Sequence, residues 1–507
     1  MTARPFQPAR LLLVLAPLVA FSGPSARAED RLKDLQAANV ATAKQKVARP
    51  YHFGSQGAND VFSNHASHSN RLIPIYVFGR KADLSAVTGA NSAYRDPAKV
   101  KALYGVVPAN TVNPDATYAD QSDLYRVQAE AVARGARHLF IVWFDGLDWP
   151  TTQAAAIVKT GKVYTEGKGA GLIFQDYPAD GTAQYGYYVT SPTHDKNTPD
   201  LDLQSVTIPP GSLGGGYDAR IAGPNPWTLG PLGPRAPGYL KGQSANKADI
   251  QGVLDVGRVL HAYTDSSTSA AAFASGRKAY NNGLNVMDDG RFVPTLFNQL
   301  QDQGWKLGTV TSVPFDHASP AAMYAHNVHR DDYQDLARDM LGLDSIGQKS
   351  RREGRHGGLD VVMGTGVGLE TDDRSLKAQG GNAIRGNLHI ADIDKATIDV
   401  KNGGKYVVAE TESGVPGGKA LRAAAARAAE GGFRLFGLFG KKGLTHLPYR
   451  TADGGYDPAP DLDGKAEKYT AADRDETPTL AEMTEGALTV LSAKRDQPFA
   501  LFVEAGD

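Results

Sequence analysis

The sequence contains no cysteine, and this absence excludes several kinds of chemistry at once. Without thiols the chain has no disulfides, no thiolate metal ligands, no cysteine nucleophile and no iron–sulfur cluster. An excess of charge is also missing, because 54 Lys and Arg residues balance 55 Asp and Glu residues. Nucleic acids and acidic membrane surfaces bind basic faces, so this balance argues against both as partners. With 41% hydrophobic and 21% charged residues, the 507-residue chain has the composition of a folded protein.

Long hydrophobic runs are missing as well, and the apolar stretch near the N-terminus is short. Residues 11–21 follow Arg4 and Arg10 and precede a small-x-small sequence at 26–28. This order of positive charge, apolar stretch and cleavage site is typical of a secretory signal peptide. An anchoring helix is the weaker interpretation, since a bilayer needs about 20 apolar residues. We therefore predict a signal peptide over residues 1–28 and an exported protein, periplasmic or secreted, that has no membrane contact after signal removal.

Apolar runs of strand length alternate with helix-like stretches along much of the chain. This alternation predicts an α/β fold, a three-layer sandwich with a mostly parallel central sheet. The run at 138–144 is almost unbroken, so we expect a strand buried on both faces. Pro74 marks the run at 71–78 as an edge strand. Further strands are expected at residues 306–313, 360–363 and 498–503.

The composition suggests how the rest of the chain is organised. Between the signal peptide and the main domain at 136–507 lies a region, 29–135, that we describe as an N-terminal leader. A stretch rich in Gly and Pro at 209–238 predicts a long loop inserted into the main domain. The block at 393–469 suggests peripheral short strands and loops around one helix.

Two segments place chemistry-bearing residues where catalytic groups gather in an open parallel sheet. Asp145 follows the run at 138–144, and its carboxylate either holds a hard cation or belongs to an ordinary Asp-Gly turn. Small residues after Ser266 predict a helix that presents this serine at its start, where backbone N–H groups favour an anion. A serine nucleophile needs a neighbouring base or a metal ion. The alternative is that Asp265 or Ser266 merely caps the helix.

The segment 310–330 predicts a strand, a loop and a helix that ends near an arginine. The planar fork of Arg330 matches two phosphate oxygens, although an arginine at a helix end is often simply solvated. His326 and His329 are three residues apart on the predicted helix and have the spacing of metal ligands. A solvated or core histidine is the commoner outcome for such residues.

The fourth segment leads to the end of the sequence. We expect Thr477 to cap a helix that has Pro478 at its first position and runs to about Lys494. The strand at 498–503 then delivers Glu504, a residue type that is most often solvated at such a position.

These four segments, in this order, resemble the alkaline phosphatase family of metal-dependent phosphomonoesterases. The similarity spans roughly residues 137–507 and is most specific at 264–286, which is similar to the family's nucleophile segment. The resemblance implies an alkaline-phosphatase-like fold, small-molecule phosphomonoester substrates and a possible homodimer. It also implies two zinc ions and one magnesium ion in the full-length protein.

The resemblance further assigns roles to residues that match the family's motif. Ser266 would be the nucleophile and a metal ligand, and Asp265 would steady the guanidinium of Arg330, which clamps the phosphoryl group. Asp145 would bridge a zinc ion and the magnesium ion.

Three further metal ligands are implied in the same way. Ser319 and Glu504 would coordinate the magnesium ion. His317 falls where some family members have Asp and others His, so the identity of the third metal stays open.

The resemblance also indicates what the sequence lacks. After Glu504 the family continues to further Asp and His ligands of zinc, which lie beyond Asp507. We therefore expect the sequence to be the first part of a longer reading frame, whose catalytic domain lacks its C-terminal part and a complete zinc centre. Two alternatives stay open: a non-catalytic exported binding protein or degenerate homologue, and a phosphodiesterase of the same superfamily.

Overall fold

The structure is a computed structural model of the chain. It describes residues 56–57, 61–62, 73–104, 107, 112, 114–147, 149–164, 167–189, 197–207, 265–287, 289–350, 356–448, 455–456 and 467–506. The predicted signal peptide at 1–28 and the predicted loop at 209–238 lie outside these residues.

The described residues form thirteen strands and fourteen α-helices. The strands are β1 Gln56–Gly57, β2 Val61–Phe62, β3 Ile73–Val77, β4 Ala119–Asp120, β5 His138–Phe144, β6 Gln184–Val189, β7 Thr198–Asp200, β8 Ser205–Thr207, β9 Lys306–Pro314, β10 Val361–Thr365, β11 Tyr406–Glu410, β12 Arg434–Leu438 and β13 Phe499–Ala505. The helices are α1 Pro97–Tyr104, α2 Asp123–Ala133, α3 Trp149–Thr160, α4 Ile173–Asp176, α5 Ser266–Ser275, α6 Leu296–Asp302, α7 Ala318–Ala322, α8 Tyr333–Leu341, α9 Ile346–Ser350, α10 Asp373–Lys377, α11 Asp392–Ile398, α12 Gly417–Gly431, α13 Ala471–Glu476 and α14 Leu480–Leu491.

A six-stranded sheet with the order β11-β12-β10-β9-β13-β5 forms the centre of the fold. All of its neighbouring strands run parallel, which confirms the predicted α/β class. The strands β11 and β12 correct our expectation that the block at 393–469 is peripheral. Short apolar runs do not reveal from sequence alone whether they join the main sheet.

The side chains of the central sheet alternate between two hydrophobic layers. Along β13, Ala500 and Phe502 belong to one core cluster, and Phe499, Leu501 and Val503 belong to the other. This period of two is the geometry of a strand that is covered on both faces. The first layer includes residues of α5, α6, α7 and α8, and the second includes residues of α12 and α14. The described residues therefore form the predicted three-layer sandwich.

The edge strand β5 contradicts one expectation. It pairs with β13 and ends the order of the described sheet, so it is not a central strand. One face of β5 is open within the described part of the chain, where Phe140, Val142 and Phe144 are 55%, 63% and 41% exposed. The expectation of burial on both faces was wrong because an apolar run reports hydrophobicity, not the number of neighbouring strands or helices.

The described residues of the predicted leader region from residue 73 onward are folded and packed. The strands β3, β6 and β4 form a small mixed sheet, with β3 at its edge as Pro74 predicts. Leu124 and Val127 of α2 lie in the same core cluster as residues of α5. No helix within the described ranges has the length and apolar character needed to cross a membrane.

The start of α14 corrects one further prediction. The N-cap is Thr479, whose hydroxyl accepts a hydrogen bond from the backbone N–H of Glu482. The Glu482 carboxylate in turn accepts from the backbone N–H of Thr479 at 3.0 Å. This reciprocal capping box places the N-cap two residues after Thr477.

Candidate active site

Ser266 is the first residue of α5 and is 8% exposed. Asp265 has extended backbone angles and caps the helix, because its carboxylate accepts from the backbone N–H of Thr268 at 3.1 Å. Gly276 ends the helix with a positive φ of 70°, a conformation that glycine adopts without strain. Every residue of α5 is buried, and the small side chains allow this close packing. The predicted helix and its presentation of Ser266 are therefore observed.

The Ser266 hydroxyl donates a hydrogen bond to Asp145 Oδ2 at 2.8 Å. Asp145 directly follows β5, and its backbone N–H donates to the Ala505 carbonyl at the end of β13. Glu504, the residue before Ala505, is fully buried. The carboxyl edge of two adjacent strands thus carries the predicted residues Asp145 and Glu504.

Arg330 joins two of the other predicted residues. Its Nη1 donates to Asp265 Oδ2 at 3.1 Å, and its Nη2 donates to His317 Nε2 at 3.3 Å. The Arg330 and Asp265 side chains are only 17% and 16% exposed. The guanidinium is therefore fixed by a carboxylate on one side and an imidazole on the other.

The electrostatics of this group follow from burial and from the positive charge of Arg330. Burial alone raises the pKa of Asp265, but Arg330 and the hydrogen bonds from Ser267 and Thr268 outweigh it, so the pKa lies below its ordinary value. Burial and then the charge of Arg330 lower the pKa of His317 to about 3. His317 is therefore neutral near pH 7, and its Nε2 lone pair accepts from Arg330.

Ser319 and Glu504 lie on elements that border this group. Glu504 Oε2 accepts a hydrogen bond from the Thr311 hydroxyl at 2.6 Å. Ser319 is fully buried in α7, and its hydroxyl has no hydrogen-bond partner among the described residues. A buried hydroxyl without a partner is unfavourable unless another group satisfies it.

The donors in this region match a hard cation better than zinc. The carboxylates of Asp145 and Glu504 and the unsatisfied hydroxyl of Ser319 are oxygen ligands of the kind that magnesium prefers. Within the described ranges, however, no group of three or more His, Asp and Glu side chains is placed to hold one metal ion. The described residues therefore do not fit a dinuclear zinc centre.

The structure does not place His326 and His329 on one helix. The helix α7 ends at Ala322, so neither His326 nor His329 lies on it. The His326 ring is buried, with Nε2 at 2.7 Å from the Val293 carbonyl oxygen. His329 Nδ1 accepts from the backbone N–H of Asp331 at 3.2 Å. The prediction that these two histidines share a helix was wrong, because α7 ends before it reaches them.

The structure also reveals polar neighbours that sequence reasoning missed. Asp316 precedes His317 and forms a buried hydrogen bond with His389, which is distant in the sequence. Thr311 is another such neighbour, and its register position opposite Glu504 follows from the parallel pairing of β9 and β13. No local pattern identifies the His389 contact, because it depends on the tertiary fold.

The fold and the site define an α/β protein with a serine, three carboxylates and an arginine grouped around one helix start and one sheet edge. Residues 258–507 match the family model described as alkaline phosphatase. This part of the chain belongs to the alkaline phosphatase family.

The curated relatives and the solved structures that resemble the chain are named phosphatases. Alkaline phosphatase 4 of Bacillus subtilis is 33% identical over 114 residues, which are 22% of this chain and 23% of that protein. Streptomycin-6-phosphate phosphatase of Streptomyces griseus is 32% identical over 114 residues, which are 22% and 25% of the two chains. The alignments thus span about a quarter of these relatives, or less. The alkaline phosphatase structure from Thermus thermophilus is 20% identical, covers 73% of this chain and 50% of that chain, and has a TM-score of 0.35.

Proposed function

We propose that the protein hydrolyses small-molecule phosphate monoesters through a phosphoserine at Ser266. The observation that carries this proposal is the grouping around the start of α5. The Ser266 hydroxyl is hydrogen-bonded to Asp145, and the guanidinium of Arg330 is held by Asp265, the residue before the serine. The curated relatives Alkaline phosphatase 4 and streptomycin-6-phosphate phosphatase are both named phosphatases, which supports the same reaction class.

The reaction transfers the phosphoryl group twice, first to Ser266 Oγ and then to water. In the first, Ser266 Oγ bonds to phosphorus, the ester P–O bond breaks, and the alcohol leaves with a proton. In the second, water attacks the phosphoserine, inorganic phosphate leaves, and the serine hydroxyl is restored. Asp145 orients the hydroxyl through its hydrogen bond, and Arg330 pairs with two phosphoryl oxygens. The backbone N–H groups at the start of α5 favour the negative charge of the phosphoryl group.

We also propose that divalent metal ions take part, two zinc ions and one magnesium ion in the full-length protein. Such ions, when bound, lower the pKa of a hydroxyl nucleophile and neutralise charge on the leaving oxygen. The oxygen donors of Asp145, Ser319 and Glu504 support the magnesium assignment, with His317 beside them. The described residues alone do not form a zinc centre.

Covalent trapping tests the nucleophile. The full-length protein, supplied with zinc and magnesium, is quenched in acid during turnover of a radiolabelled phosphomonoester. Ser266→Ala should retain no label and lose several orders of magnitude in kcat. Ser275→Ala is the matched control, because Ser275 is equally buried at the opposite end of α5. Label on the Ser266→Ala variant would show that the nucleophile lies elsewhere.

A comparison of two substrates tests the monoester assignment. The guanidinium of Arg330 pairs best with a phosphoryl group that carries two unsubstituted oxygens. We therefore expect p-nitrophenyl phosphate to be hydrolysed faster than its bis ester. A preference for the bis ester would identify a phosphodiesterase instead.

A non-catalytic, exported phosphate-binding protein is the second candidate. The observation that favours it is the lack, among the described residues, of a group of three or more His, Asp and Glu side chains placed to hold one metal ion. In this case the protein would bind inorganic phosphate in a calorimeter but release no alcohol from a phosphomonoester.

Export and assembly are separate proposals. We propose that the protein is periplasmic or secreted after removal of residues 1–28, and that it forms a homodimer. Amino-terminal sequencing of the exported protein should find Glu29 as its first residue, and ultracentrifugation should give the mass of two chains.

A further inference from the structure

A buried pair of polar side chains lies directly beside the candidate active site. His389 Nδ1 and Asp316 Oδ1 are 2.6 Å apart and share a hydrogen bond. The two side chains are 3% and 0% exposed. Asp316 precedes His317, the residue that accepts a hydrogen bond from Arg330. The pair therefore fixes one end of the loop between β9 and α7.

His389 also contacts the segment that follows Arg330. Its ring centroid is 4.8 Å from that of Tyr333, and the Tyr333 hydroxyl donates to Asp331 Oδ1 at 3.3 Å. The His389 imidazole thus contacts Asp316, which precedes His317, and also the segment that follows Arg330.

His389 is itself held firmly. Its backbone N–H donates to Asn387 Oδ1 at 2.9 Å, and the Asn387 amide donates to the Gly366 carbonyl at the end of β10. Gly366 has a φ of +128°, and a Cβ atom there would lie 3.3 Å from His389 Cδ2. The ring therefore rests against the backbone that follows a central strand and has little room to move.

The buried pair of Asp316 and His389 is not the arrangement that would stabilise a protein core most. Asp316 Oδ2 is buried and has no hydrogen-bond partner among the described residues, which lowers stability. Apolar side chains of similar volume often give equal or higher stability in place of a buried polar pair. An unsatisfied carboxylate next to the site is better explained by a role in geometry than by a role in folding.

We propose that Asp316 and His389 are positioning residues for Arg330, an inference that rests on the proposed function. The hydrogen bond between them holds the loop that carries His317, and His317 holds the guanidinium. The ring of His389 supports the segment after Arg330 from the other side. Neither residue touches the phosphoryl group. Their effect on phosphate binding passes through the arginine.

A set of variants separates positioning from folding. His389→Phe keeps a ring but removes Nδ1, and the double variant Asp316→Leu/His389→Phe removes both polar partners. His326→Phe is the matched control, because His326 is equally buried but bonds to the Val293 carbonyl outside the site. For each variant of the full-length protein with zinc and magnesium, the Kd of inorganic phosphate, kcat/KM and Tm are measured.

We expect His389→Phe to weaken phosphate binding and to lower kcat/KM by about 100-fold, the effect of a displacement of about 1 Å at a reacting group. His326→Phe should lower Tm and leave phosphate binding unchanged. The double variant should regain Tm, since no unpaired carboxylate is left, but phosphate binding should stay weak. Recovery of phosphate binding together with Tm would overturn the inference, as would a His389→Phe variant with normal phosphate binding.

Arg330→Ala distinguishes this inference from the proposed function. If Arg330→Ala abolishes phosphate binding and His389→Phe does not affect it, only the positioning role is wrong. If phosphate binds equally well without the guanidinium, or does not bind the unaltered protein, the proposed function and the inference both fail.

Discussion

Replacement of Asp265 tests the link between the start of α5 and Arg330. The carboxylate has two tasks, since it caps the helix through Thr268 and pairs with the guanidinium at 3.1 Å. Loss of an N-cap costs about 1 kcal/mol. Loss of one partner of a buried ion pair costs about 3–5 kcal/mol, and the lower end applies because both side chains keep some exposure. We therefore expect Asp265→Ala to lower the free energy of unfolding by about 4 kcal/mol.

Two further variants show how much of this loss in the free energy of unfolding comes from the helix cap and how much from the ion pair. Asp265→Asn keeps an oxygen for the cap but removes the charge, so it should cost about 2 kcal/mol, the value of a charge-assisted hydrogen bond. Asp372→Ala is the matched control, because Asp372 caps α10 through the backbone N–H of Ser375 and is exposed. It should cost about 1 kcal/mol. Urea denaturation followed by circular dichroism gives the three values.

The pH dependence gives an independent check. The pKa of Asp265 is lower in the folded protein than in the unfolded chain, so the folded state binds its proton less readily. The stability it contributes is present above about pH 4 and is lost as the pH falls through the lowered pKa. Asp265→Asn should therefore approach the stability of the unaltered protein below about pH 4. The reasoning is refuted if Asp265→Ala costs no more than Asp372→Ala, or if its cost is the same at pH 3 and pH 7.

Two other buried contacts give predictions of the same kind. Lys278→Met should lower the free energy of unfolding, measured by urea denaturation, by about 3–5 kcal/mol, because Lys278 Nζ is 2.7 Å from both carboxylate oxygens of Asp120 and both side chains are buried. The added substitution Asp120→Asn should restore part of this stability. An unchanged stability of Lys278→Met would contradict the role of the pair. Thr311→Val should cost about 2 kcal/mol and weaken magnesium binding in calorimetry, because its hydroxyl donates to the carboxylate on β13. Thr309→Val on the same strand is its control and should leave the stability nearly unchanged, since the Thr309 hydroxyl is buried without a partner among the described residues. Equal losses of stability for the two variants would argue against the contact between Thr311 and Glu504.

The start of α5 could be predicted because its determinants are local. An acidic residue before a run of small side chains gives a cap and a closely packed helix, and Gly276 then ends it. The start of α14 was predicted two residues too early, although the deciding signal was present in the sequence. Thr479 has Glu482 three residues later and forms a capping box, whereas Thr477 has no such partner.

Other features depend on tertiary contacts and could not be read from the sequence. The run at 138–144 has the composition of a central strand, but β5 lies at an edge of the described sheet. The helix expected to reach the vicinity of Arg330 ends at Ala322. After it, the chain is held by side chains distant in sequence, as when Val328 donates its backbone N–H to Gln204. Such contacts have no periodic pattern in the sequence.

The most restrictive feature of the site is a closed ring of hydrogen bonds around Asp265. Its Oδ1 accepts from the backbone N–H of Asn282 at 3.2 Å, the Asn282 carbonyl accepts from the backbone N–H of Arg330 at 2.8 Å, and the Arg330 side chain returns to Asp265 Oδ2. Asn282 has a φ of 71°, a conformation that asparagine adopts more readily than most residues. Because the same carboxylate caps the helix that begins with Ser266, the hydroxyl and the guanidinium are constrained together. Folding therefore sets their separation before any anion binds, and a phosphoryl group between them would meet charges that need little rearrangement.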